Sequence, residues 1–144
     1  MEVADFAIRI GCAVAAGLLI GFEREYKNKH AGLKTNMLVA LGAAVFALIS
    51  LRFFGDDYVD ITRVLSQIVI GIGFIGGGTI IQYGKNIKGL TTAATIWCSA
   101  GAGCLAAFGM FWELLIITAT VVLINLVFGI IDSKIGRGTS NEGD

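Results

Sequence analysis

Proline is missing from this 144-residue chain, charged residues make up only 15% of it, and histidine occurs once, as His30. Without proline, any break in a helix falls to glycine, of which there are 20. In water that much glycine would weaken helices, whereas in a bilayer it lets helix backbones approach closely. A soluble domain carries about 25% charged residues, so the shortage of charge argues against one. Cysteine is scarce too. Cys12, Cys98 and Cys104 each lie in an apolar run without C-x-x-C spacing, which fits small buried hydrophobes and argues against a disulfide framework. With one histidine in a polar loop, no ligand set for zinc or another metal emerges. A nucleophile–base pair and a phosphate-binding loop are also lacking, so residue types alone point away from an enzyme and from a cofactor. Formal net charge is +0, which gives no footprint for a nucleic-acid partner.

Apolar residues fill the space left: 56% of the chain is hydrophobic and mean hydropathy is +0.79. A helix crossing the hydrocarbon core needs about 20 mostly apolar residues. Five stretches qualify: Val3–Phe22, Thr35–Phe54, Val64–Tyr83, Leu90–Phe108 and Phe111–Ile131. The expected fold is therefore all-α, a polytopic bundle of about five transmembrane helices within residues 1–134, in contact with the lipid bilayer. Residues 135–144 are expected to form a short polar, disordered tail. Glu2 and Asp5 precede the first apolar run, so a retained span fits better than a secretory leader. Phe108 to Glu113 must make a tight turn at the interface, where Trp112 suits an aromatic belt.

Loop charges orient the spans. Arg24, Lys27, Lys29, Lys34, Lys85, Lys88, Lys134 and Arg137 fall on one side if the five spans alternate. Arg52 and Arg63 fall on the other, among Asp56, Asp57 and Asp60. The basic side faces the cytoplasm, which puts the N-terminus outside and the C-terminus inside.

Polar residues within the spans are the functional candidates. Arg9 is four residues from Asp5 on one helix face. Either the pair reaches the outer interface, or Arg9 faces the interior and holds a polar group of another span. Gly17 and Gly21 offer a close helix contact. Glu23 and Glu25 are either a solvated, salt-bridged helix end or an entrance that gates or holds a hard cation. The third span carries Gly71, Gly73, Gly76, Gly77 and Gly78 between Gln67 and Gln82. Gly73, Gly76 and Gly77 would share a smooth face, which makes either a packing groove or a locally broken helix lining a polar site. Thr91 or Thr92 would cap the fourth helix, whose start could instead hold an anionic group. Asn125 is expected to hydrogen-bond between helices.

Several of these residues fall in longer motifs: Gly21-Phe22-Glu23-Arg24-Glu25; Ala31-Gly32-Leu33-Lys34-Thr35-Asn36, leading to Gly42-Ala43-Ala44-Val45-Phe46; Gln67 through Gly78; and Gly89-Leu90-Thr91-Thr92 through Gly101. From about Gly17 to Gly103 the chain resembles the MgtC/SapB family of bacterial inner-membrane proteins. The resemblance implies a membrane domain linked to growth at low Mg²⁺ and to survival in host cells. It implies regulation of other membrane proteins, such as the F-type ATP synthase or P-type ATPases, as partners. It marks Glu23, Arg24, Glu25, Thr35, Asn36, Gln67, Thr92 and Cys98 as matching positions, and Lys34, Lys88 and Thr91 as functional candidates at positions that depart from the pattern. Cys98 matches a functional cysteine of virulence-associated members. Lys34 and Lys88 stand where arginine is usual, Gly77 where alanine is usual, Thr91 where those members carry asparagine and Tyr83 where they carry glutamate. Members often add a soluble C-terminal domain, which is not expected here. The competing expectation is a cation transporter or transporter subunit, for which five small spans would have to form a homo-oligomer.

Overall fold

A computed structural model describes residues 2–55, 60–84 and 86–138, the side chains only as far as 129. The order of elements is α1 (Val3–Tyr26), α2 (Leu33–Leu51), α3 (Ile61–Gly77), β1 (Ile81–Tyr83), β2 (Asn86–Lys88), α4 (Leu90–Ala107) and α5 (Phe111–Gly138). Among the described residues, four helices are long and apolar enough to cross a membrane: α1, α2, α4 and α5 over Phe111–Gly129. The fifth, α3, is apolar but has only 17 residues.

Small residues hold α1, α2 and α4 together. Ala13 and Ala16 of α1 are buried with Ala44, Ala47 and Leu48 of α2 and with Ala102 and Ala106 of α4. Gly17 lies against the backbone of Asn36 and Met37, and Gly21 against Gly32 and Leu33, so both glycines of the first span face α2 and its entry. Gly103 of α4 lies so close to Ala40 that a Cβ there would collide with the Ala40 carbonyl. Such approach is what small residues provide in membrane helices, where lipid is as apolar as leucine and packing must drive association. On α5, Leu114 and Val121 join this core, while Leu115, Ile116, Leu123 and Ile124 face outward.

The connections are short and depend on local chemistry. Gly109, at φ 71°, makes the turn between α4 and α5, with its N–H donated to the Ala106 carbonyl. Between α1 and α2 the chain passes through Asn28 and Ala31, both at positive φ. At the start of α3, Asp60 accepts from the backbone N–H of Thr62 (2.9 Å) and from its hydroxyl (2.6 Å). These bonds hold the Asp60 carboxyl below its usual value.

Three expectations are corrected. The third span does not run to Tyr83. Its helix is continuous through Gly71 and Gly73, ends at Gly77, and gives way to a two-stranded antiparallel hairpin with Ile81 opposite Lys88. Gly76 to Gly78 stop the helix by removing helix-favouring side chains, and β-branched Ile81 and Ile87 suit the strands. The smooth face of Gly73, Gly76 and Gly77 is split. Gly76 packs on Ala93 of α4, whereas Gly73 and Gly77 meet open space, because neighbouring residues of a helix point about 100° apart. Residues 135–138 of the expected tail instead belong to the end of α5, which runs to Gly138. Residues 139–144, with Asp56, Asp57 and Lys85, lie outside the described residues.

Candidate functional site

A buried polar seam gathers where the C-terminus of α1 meets the N-termini of α2 and α4 and the interior of α5 around Asn125. Glu23 and Arg24 are each only 5% exposed, although they are adjacent and charged. Their side chains diverge by about 100° around α1 and find different neighbours. Arg24 Nη2 donates to the Thr92 hydroxyl of α4 at 2.8 Å. Glu23 Oε1 receives the Lys27 ammonium at 2.8 Å, and the same ammonium donates to the Asn125 carbonyl of α5 at 3.0 Å. Gly129 leaves the room on α5 that Lys27 occupies. The Glu23 carboxylate is thus paired with the Lys27 ammonium, which offsets part of the cost of removing these charges from water.

Next to it, Asn36 of α2 is fully buried. Its amide donates to the carbonyls of Ala31 (2.6 Å) and Gly32 (2.9 Å), and its oxygen accepts from the Ser99 hydroxyl of α4 at 2.8 Å. Asn36 therefore fixes the α1–α2 loop and bonds α2 to α4. Glu25 is exposed and accepts from the Leu33 N–H at 3.1 Å, holding the start of α2 against the end of α1. Four buried polar atoms have no hydrogen-bond partner among the described residues: Glu23 Oε2, Arg24 Nε, Thr118 Oγ1 and Asn125 Nδ2.

The seam unites Glu23, Arg24, Asn36 and Thr92, four of the residues singled out in the sequence. Cys98 is half-buried on α4 beside Ser99 and packs against the core. Thr91, Lys88 and Lys34 are exposed, and Thr35 is half-buried at the start of α2. Gln67 and Lys34 border a separate cleft between α2 and α3. Arg9 is far from the seam. It pairs with Asp5 at 3.0 Å and also donates to the Ala107 carbonyl at the α4–α5 turn, so it bonds to its own helix and to a neighbour together.

Three expectations change here. Neither threonine caps α4: Gly89, at φ 92°, occupies the cap position, which moves Thr91 and Thr92 into the first turn and frees the Thr92 hydroxyl for Arg24. Glu23 is paired but not solvated: it is buried with the Lys27 ammonium, which also bonds α5. Asn125 acts through its backbone carbonyl, not its side-chain amide. Ser99 and Lys27 complete the seam. Lys27 was legible as a basic residue one turn after Glu23. Ser99 carried no signal among the alanines and glycines around it.

Among the described residues, five apolar helices, four of them of spanning length, with glycine and alanine at the contacts of α1, α2 and α4, define a polytopic helical membrane protein. A model of the MgtC family matches residues 10–134. Curated relatives named Protein MgtC include one from Salmonella typhimurium, 44% identical over 127 residues, which are 88% of this chain and 54% of that protein. Another, from Brucella abortus, is 45% identical over 123 residues, 85% of this chain and 51% of that protein. The chain belongs to the MgtC family and is a multi-pass membrane protein. It spans about half the length of the curated relatives it matches. No solved structure matches it.

Proposed function

We propose that the chain is a small, non-enzymatic regulator in the bacterial inner membrane, which docks against helices of a transport or energy-coupling complex during adaptation to low magnesium or host stress. The observation that carries this reading is the outward face of α3. Gly73 and Gly77, one turn apart, have nothing within 4 Å of where a Cβ would stand, and Phe74 beside them is 86% exposed. A Gly-x-x-x-Gly strip facing away from its own bundle suits a partner helix. The F-type ATP synthase and P-type ATPases are the partner classes that the family resemblance supplies. The seam supports the same reading, because Glu23 is already engaged by Lys27 and stands beside Arg24, a setting that repels a further cation.

Affinity capture from gently solubilised membranes, with growth at low Mg²⁺ as the functional readout, tests this. Gly73→Leu and Gly77→Leu are expected to release the partner and abolish the growth effect while the protein stays folded. The transporter alternative predicts Mg²⁺ flux in reconstituted liposomes. Flux above empty vesicles that is lost in Glu23→Gln would overturn the regulator reading.

A further inference from the structure

The α2–α3 cleft is separate from both the seam and the outward glycine face. Its volume is about 650 Å³. Leu38, Val39 and Phe46 of α2 and Ile68, Ile72 and Ile75 of α3 form apolar walls. Gly42 and Gly71 open the two walls, with nothing within 4 Å of a Cβ at either. Lys34 and Thr35 stand at one mouth, where α2 begins and α3 ends.

We propose that this cleft holds one acyl chain of an anionic phospholipid, whose phosphate is met by the Lys34 ammonium. Three observations select this occupant. The first is length. From Lys34 to Phe46 the wall rises about 18 Å at 1.5 Å per residue, against about 15 Å for one leaflet of a 30 Å hydrocarbon core. A chain anchored at Lys34 ends near the bilayer midplane, where the cleft ends. The second is width. An 18 Å length of helix, 10 Å across, fills about 1,400 Å³, so a helix would stand mostly outside the cleft, whereas an extended acyl chain fits within it. The third is charge. Lys34 is exposed at the mouth, and an ammonium is a compact, rotatable donor suited to a phosphate. Thr35 adds a hydroxyl beside it. Occupancy also gives α3 an apolar neighbour along the side where it stands apart from α2.

Native mass spectrometry of the full-length protein, titrated in detergent with phosphatidylglycerol or phosphatidylcholine of identical chains, tests the site. One lipid per chain should be retained, with phosphatidylglycerol favoured about fivefold, the contribution of a single lysine near an anionic headgroup. Lys34→Gln should remove that preference without removing binding. Gly71→Leu, which grows into open space, should remove retention of both lipids and leave the melting temperature in place. Equal retention of the two lipids by the wild type, or retention that survives Gly71→Leu, overturns the proposal. A cross-link from the cleft to a second protein chain in membranes also overturns it. If Gly71→Leu does not fold, Gly42→Leu on the facing wall and the Lys34→Gln preference decide the question.

Discussion

Asn36 concentrates more bonds than any other polar side chain of the seam: two donations to the α1–α2 loop and one acceptance from Ser99. Asn36→Ala leaves two carbonyls and a hydroxyl without it, at about 1–3 kcal/mol for each buried group left unpaired. Its melting temperature in detergent should fall far more than that of Ser99→Ala, which removes one bond. Equal losses would show that the loop contacts contribute nothing. Lys27 and Glu23 make a second residue-scale pair. Lys27→Met leaves a buried carboxylate without its ammonium and should cost about 3–5 kcal/mol. Adding Glu23→Gln should recover much of it, because the uncompensated charge is then gone. No recovery in the double variant would mean that Lys27 matters for its contact with Asn125 and not for its charge. These side chains show how unevenly the site could be read from sequence. Glu23 and Arg24 stood out because they fall in the Gly21-Phe22-Glu23-Arg24-Glu25 motif. Ser99 did not, because its partner is 63 positions away and no local pattern marks so distant a contact.

At the scale of elements, glycines decide how closely helices meet. Gly103→Ala puts a methyl group against the Ala40 carbonyl and should force α2 and α4 apart, at about 1–3 kcal/mol for overpacking a tight contact. Gly11→Ala, with nothing within 4 Å, is the matched control and should be neutral in thermal unfolding. If both melt alike, the close approach of α2 and α4 is not what stabilises them. The long apolar runs made α1, α2, α4 and α5 legible, and the sharp α4–α5 turn followed from the lack of spare residues between two spans. The hairpin was not legible. Ile80, Ile81 and Tyr83 prolong the apolar run past Gly78 with only Thr79 and Gln82 between them, and three-residue strands are too short to show an alternating period. Which α3 glycine faces inward was equally hidden, since that depends on where Ala93 lies.

For the whole molecule, bonds from Arg24 to Thr92 and from Lys27 to Asn125 bring basic ends of the helices to one end of the bundle. The positive-inside rule predicts that this end faces the cytoplasm. In a variant with its native cysteines replaced by alanine, Asp60→Cys should react with a membrane-impermeant maleimide on intact cells, and His30→Cys only after permeabilisation. The reverse pattern would invert the topology and transfer the Lys34 mouth of the α2–α3 cleft to the outer leaflet.

The position of α3 has one more consequence. It rests on α4 through Gly76, borders an open cleft toward α2, and is flanked by Gly55 at φ 95° and Gly89 at φ 92°. Among its residues Gly76 is the buried one, so α3 is expected to open locally at low cost in free energy. In deuterium-exchange measurements on the detergent-solubilised protein, the amides of α3 should exchange well before those of α1, α2 and α4. Added phosphatidylglycerol should slow them selectively, which would make α3 the one helix whose order is set by what surrounds the protein and not by the fold itself.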